Sequence, residues 1–193
     1  MSQLWHFYSY SEAAFKAYLG GGDAVATEEV VAAATWDEGA WSDLEAVRRL
    51  SSTIAQRGID YPGRSPSEAA LLDELIPALF APEGLAEQWA VVAESPDGLH
   101  PSVVRELLPR SQGASILPIL LGGRRYGAAE LFDCGYCFLD PAECERLAAE
   151  AGRALASGGP WSGAWLPEVV AECLIGPLRS ASSKGRPVFG SLG

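Results

Sequence analysis

Apolar and polar positions alternate at the start of the chain and then settle into helical spacing. LWHFYSY, residues 4 to 10, alternates with heavy aromatic content and predicts a first strand. Ser11 then opens a short helix carrying Phe15, Tyr18 and Leu19 on one face, and Gly20, Gly21 and Gly22 end it. Thr27 is placed to cap EEVVAAAT. The longer run AWSDLEAVRRLSSTIAQ sets Trp41, Leu44, Val47, Leu50 and Ile54 in a core-facing stripe that stops at Gly58.

Two helix starts carry a fuller signature. Ser65, Pro66, Ser67 and Glu68 combine a hydroxyl cap, a proline at the first helical position and a glutamate at the third, launching SEAALLDELIPALF. Asp140, Pro141, Ala142 and Glu143 repeat the grammar ahead of AECERLAAEAGRAL, with Cys144, Leu147, Ala151 and Leu155 along one side. Between them QWAVVAE predicts a second strand and PSVVRELL a short helix ending at Pro109. Pro118 splits ASILPILL and argues for a helix start or an edge there. LFDCGYCFLD predicts a further strand, LPEVVAECLIGPLRSASS a last helix and PVFGSL a terminal strand. A helical turn across SGGPWSGAW would stack Trp161 and Trp165 on one face.

The two ends of this pattern resemble the YfbM-like family of uncharacterised bacterial proteins. The shared layout is an early strand, the SEAAFKAYL helix and a glycine turn, with a closing helix that runs into a glycine and an apolar strand, here Leu178, Gly185, Val188 and Phe189. FLDPAECERLAAE is similar to a strand and capped helix recurring in those proteins. The resemblance implies a fold and carries no activity.

Charge adds what periodicity cannot. The formal net charge is −11, and residues 1 to 97 hold 16 Asp plus Glu against 5 Lys plus Arg, whereas residues 98 to 193 hold 9 of each. An acidic half repels nucleic acid and attracts a basic partner. Clustered cations that would neutralise phosphates are lacking, since only Arg179, Lys184 and Arg186 gather, beyond the last acid, Glu172. No stretch approaches a membrane span and no basic leader precedes an apolar run, which sets the expectation of a cytoplasmic chain with reduced thiols.

Candidate chemistry is sparse. Cys134 and Cys137 have the C-x-x-C spacing of a redox pair, but the helix start falls at Asp140, after both, and Asp133 would raise the thiol pKa beside it. Cys134, Cys137 and Cys144, with Cys173 or His100, have the donor types of a tetrahedral zinc site, though Cys144 lies on an apolar stripe and far from Cys173. GGRRYG, residues 122 to 127, lacks the lysine and hydroxyl of a phosphate-binding loop. His6 and His100 have no local partner that marks a general base.

These readings predict a single domain over residues 1 to 193, α+β and mostly helical, with a small mixed or antiparallel sheet. They favour a protein-binding module over an enzyme, with no cofactor and no metal. The expected function is an inhibitor or immunity-type protein that takes a basic partner on an acidic face including Asp37, Glu38, Trp41, Asp43 and Glu45, with exposed members among Trp36, Trp41 and Trp89 as anchors. The alternative is a thiol- or metal-dependent enzyme centred on Cys134 and Cys137.

Overall fold

The alternating run at the start of the chain does form a strand, and several of the helices begin at capping residues. The computed structural model describes residues 4–21, 24–34, 44–59, 61, 65–80, 85–95, 97–121 and 136–192. β1 (Trp5–Ser9) leads into α1 (Glu12–Gly20), then come α2 (Ala24–Ala34), α3 (Leu44–Arg57) and α4 (Pro66–Phe80). A 3-10 turn (Ala86–Trp89), β2 (Val92–Ala93), α5 (Pro101–Leu107) and two further 3-10 turns (Leu108–Arg110 and Leu117–Leu121) follow. β3 (Tyr136–Leu139) precedes α6 (Pro141–Ala156). The last helical stretch is α7 (Leu166–Val170), a π turn (Ala171–Ile175) and α8 (Gly176–Ser183), before β4 (Val188–Leu192).

The chain is α+β and mostly helical, and its strands make one small antiparallel sheet. No described helix is long and apolar enough to cross a membrane. Internal contacts divide the chain into two compact units. A sheet unit comprises Met1–Ser9, Val92–Arg124 and Cys134–Gly193, and a helical unit comprises Tyr10–Val91 with Arg125–Asp133.

Capping chemistry explains where three helices start. Ser11 Oγ accepts the Ala14 N–H at 3.2 Å ahead of α1. Ser65 Oγ accepts the Glu68 N–H at 3.2 Å while Glu68 Oε2 accepts the Ser65 N–H at 2.7 Å. Asp140 and Glu143 make the same reciprocal box ahead of α6, at 2.7 and 3.3 Å. Thr27 departs from expectation, because α2 already begins at Ala24 and leaves Thr27 buried inside the helix. Leu44 departs too. It opens α3, where side chains tilt beyond the helix end, and is 46% exposed, so among the described residues the buried stripe starts at Val47 and continues through Leu50 and Ile54.

The helical unit is built around aromatic rings. Phe15 of α1, Phe80 of α4 and Trp89 are buried against one another, with Phe15 and Trp89 centroids 4.7 Å apart and Tyr18 edge-on to Trp89 at 4.9 Å. Tyr10 closes the group at 5.1 Å from Phe80, and the Ser11 N–H donates to Trp89 O at 2.8 Å. At the end of α1 a Cβ on Gly20 would stand 3.3 Å from Ala55 Cβ, so a small residue there lets α1 approach α3.

In the sheet unit the strand order is β2-β1-β4-β3. Phe7, Gly190 and Cys137 lie opposite one another across β1, β4 and β3, on the face that also presents Trp5, Leu139, Val188 and Leu192 to the core. A Cβ on Gly190 would stand 2.8 Å from Cys137 Sγ and 3.2 Å from the Phe7 ring, which is why a glycine interrupts this strand. α6 and α8 pack together in the same unit, with Leu147, Ala148, Ala151 and Ala154 buried alongside Leu178 and Ala181. The π turn sits just before Pro177, whose missing N–H interrupts the regular helical ladder.

The 3-10 turn Leu117–Leu121 is held at both ends by long-range bonds. Glu150 of α6 is 3% exposed, and its carboxylate accepts the Ser115 N–H and Oγ–H at 2.9 Å each, the Ile116 N–H at 3.0 Å and the Leu117 N–H at 2.9 Å. At the other end the buried Trp5 Nε1–H donates to Leu120 O at 2.9 Å. Burial alone would push the Glu150 carboxyl up. The N–H groups of Ser115, Leu117 and Ile116 and the Ser115 hydroxyl favour the charged form more strongly and leave it below the usual value of 4.5.

A lowered folded value means that Glu150 contributes stability above the unfolded carboxylate range and loses it as the pH falls through the folded value. Glu150→Ala strands the buried N–H groups of Ile116 and Leu117 and the partly buried one of Ser115, and is expected to destabilise the fold by about 3 kcal/mol in urea unfolding at pH 7. Glu150→Gln should flatten the acid limb of the melting temperature against pH. Unchanged stability in Glu150→Ala would show that the turn holds without this carboxylate.

Candidate functional site

The predicted acidic face is only partly within the described residues. Asp37, Glu38, Trp41 and Asp43 lie outside them, as do Trp36, Cys134 and the 122 to 127 loop. Glu45 is described: it stands in the first turn of α3, exposed, with Arg48 Nη1 3.3 Å away. Trp89 is not an exposed anchor. The ring is fully buried because its size is what fills the core between α1 and α4, and its Nε1–H has no acceptor among the described residues.

Acid nevertheless concentrates by unit, almost as completely as by sequence half. The helical unit holds 16 Asp plus Glu against 6 Lys plus Arg, and the sheet unit 9 against 8, so the first accounts for −10 of the net charge of −11. Glu12, Glu28, Glu29, Glu45 and Glu87 are exposed on its described surface. Glu12 and Glu45 have intrahelical partners in Lys16, at 2.6 Å, and Arg48, and Glu29 accepts the Tyr18 hydroxyl. Glu28 and Glu87 make no ion pair among the described residues. Exposed intrahelical pairs contribute little, so they leave the unit's long-range negative field largely in place.

The cysteines sit in packing positions. Cys137 is fully buried in the middle of β3, where Gly190 makes room for its sulfur. Cys144 is fully buried in the first turns of α6, its Sγ 3.8 Å from Leu139 O; burial, with Cys137, Asp140 and Glu143 nearby, pushes its thiol well up. Burial also raises the Cys173 thiol. A hydrogen bond from Ser95 opposes that shift, and Asp97 and Glu172 add to it. Both groups are therefore protonated thiols at neutral pH, the unreactive form. His100 is the N-cap of α5, its Nδ1 accepting the Ser102 N–H at 3.1 Å. Among the described residues no group of three or more His, Cys, Asp or Glu is placed to hold a metal ion.

One polar cluster escaped the sequence reading because its members come from distant segments. Glu94, just past β2, accepts the Ser9 hydroxyl at 2.6 Å and has Lys184 Nζ at 3.4 Å, with only 6% of its side chain exposed. Ser95 donates to Asp97 O beside it. Ser9 is fully buried, so this arrangement ties the end of β1 to the segment after α8 and offers no accessible nucleophile.

Trp161 and Trp165 also part from expectation, since no helical turn joins them and they do not stack. Two glycines and a proline ahead of them favour an irregular loop, and the helix starts only at Leu166. Trp161 lies half-buried under the Arg110 guanidinium, 3.9 Å from the ring centre, whereas Trp165 is 58% exposed.

No family model, no curated protein and no solved structure matches the chain.

The burial of the thiols has a direct readout. Under native conditions Cys137 and Cys144 are expected to alkylate at least 100-fold more slowly than an exposed thiol, as followed by peptide mass spectrometry, and at the exposed rate in denaturant. Rapid native labelling of Cys137 would return it to the list of accessible nucleophiles.

Proposed function

We propose that the chain is a protein-binding module that recognises a basic partner through its acidic helical unit, in the manner of an inhibitor or immunity-type protein acting in the cytoplasm. The observation that carries this reading is the segregation of charge: nearly the whole net charge falls in one compact unit, while the other is close to neutral. A field of one sign over one unit raises the encounter rate with an oppositely charged protein and sets its orientation.

The residues fit this use. α2 carries Glu28 and Glu29 on its exposed side and no base in its eleven residues. The rigid aromatic core behind these helices holds the charges at fixed spacing, which lowers the ordering cost of binding. Glu45 belongs to the proposed surface, and Asp37, Glu38, Trp41 and Asp43, between α2 and α3 in sequence, are proposed to take part in the same recognition. The described thiols Cys137, Cys144 and Cys173 are buried, which favours the binding reading over one centred on a reactive cysteine.

Reversing Glu28, Glu29, Glu45 and Glu87 to lysine together is expected to slow association with a captured basic partner about tenfold or more at low ionic strength, measured by stopped-flow or surface-based kinetics. The residual rate should depend less on salt than the wild-type rate. An unaltered rate and salt slope, with circular dichroism unchanged, would exclude the acidic unit as the recognition surface.

A further inference from the structure

Trp165 is the most exposed large apolar side chain among the described residues, at 58% against 51% for Leu121, 46% for Leu44 and 44% for Val92. An indole in water forfeits the burial that its size would bring, yet the loop before it is closely fixed. Arg110 lies over the Trp161 ring and donates through Nη1 to Gly158 O at 2.9 Å and through Nη2 to Pro160 O at 2.5 Å. Glu106 accepts the Ser162 N–H at 3.2 Å and the Ser162 hydroxyl, bonds that with Arg110 keep its carboxyl below the usual range and hence charged. A Cβ on Gly163 would stand 2.6 Å from Trp165 Nε1 and 3.1 Å from Cδ1, so the ring is seated close against the Gly163 backbone. The indole is thus presented by a pre-ordered loop, an arrangement that lowers the entropy lost on contact.

The helix that begins at Leu166 adds charge on its exposed side. Glu168 and Glu172 follow Trp165 by three and seven positions, one and two helical turns on, and both are exposed. Neither makes an ion pair among the described residues, whereas Arg179 further along is already near Glu145 at 3.9 Å. Arg110, the base held against the 157 to 162 loop, is engaged by carbonyls and Trp161. An exposed aromatic side chain followed at three and seven positions by exposed carboxylates without an ion pair among the described residues matches a cation on an alkyl stem, whose stem can pack on the ring while its charge meets an acid. An apolar or anionic partner would leave those carboxylates desolvated and unpaired.

We infer that Trp165, Glu168 and Glu172 form a docking point for a lysine- or arginine-bearing segment of a protein partner. The residues belong to the sheet unit, so this site stands or falls separately from the acidic helices.

The test follows the Trp165 indole N–H signal in ¹⁵N-labelled full-length protein, assigned by its loss in Trp165→Phe. Hexalysine is titrated, with hexaglutamate as control, into protein carrying Glu28, Glu29, Glu45 and Glu87 reversed to lysine. The expected result is a saturable shift of the Trp165 signal with hexalysine alone. Glu168→Lys with Glu172→Lys should weaken that binding at least fivefold, with the other indole signals and circular dichroism unchanged. A Trp165 signal that stays in place, or an affinity untouched by the double reversal, overturns the site. A Trp165 response that persists in a protein whose helical-unit reversals have no effect on partner association supports this site and rejects the acidic-unit reading.

Discussion

The sheet unit depends on a single carboxylate placed where three backbone N–H groups and a hydroxyl converge. Glu150 projects from α6 into the start of the 3-10 turn Leu117–Leu121, while the Trp5 indole of β1 takes the Leu120 carbonyl near its end. A 3-10 turn of this length has poor internal hydrogen-bond geometry and little persistence of its own. Bonded at both ends by buried groups, it becomes a rigid connector between the sheet and the longest helix of the unit. Removing one partner from such an arrangement costs more than making it gains, because the Ile116 and Leu117 N–H groups left behind stay buried.

A second constraint acts in the helical unit, where large rings fill the space between α1, α4 and the Ala86–Trp89 turn. Burial of Phe15, Phe80 and Trp89 leaves the polar sides of the helices free to carry charge without disturbing packing. This separation of roles suits a unit with a charge of −10: mutual repulsion is tolerated at exposed, solvent-screened positions such as Glu12, Glu28, Glu29, Glu45 and Glu87 and would not be in the core. The sheet unit has the opposite character, near-neutral overall, with several of its charges committed to tertiary bonds: Glu150 to the turn, Glu94 to Ser9 and Lys184, Arg110 and Glu106 to the 157 to 162 loop.

Elements whose cause is local were legible in the sequence. Ser65 with Glu68 and Asp140 with Glu143 marked helix starts because capping needs only residues three apart, and the β1 alternation and the Gly58 stop are equally local. Positions decided by tertiary geometry were not. Thr27 has a capping side chain but sits inside a helix that starts earlier, Leu44 has the right spacing but lies at a helix end, and Trp89 has the size of a contact anchor and is used as core. Glu150 reads in sequence as one more surface acid on an amphipathic helix. Its role depends on Ser115 to Leu117, more than thirty residues away, and nothing local to α6 records that. The charge asymmetry was legible, but its assignment to a compact unit required knowing that residues 92 to 97 belong with the sheet and 125 to 133 with the helices.

The most direct test of the central claim is zero-length carboxylate-to-amine crosslinking of the protein to a partner captured at low salt, with the crosslinked peptides identified by mass spectrometry. Recognition through the acidic unit predicts that the links join Glu28, Glu29, Glu45 or Glu87 to partner lysines and disappear as the ionic strength rises. Links confined to the sheet unit, or a complex indifferent to salt, would contradict the account.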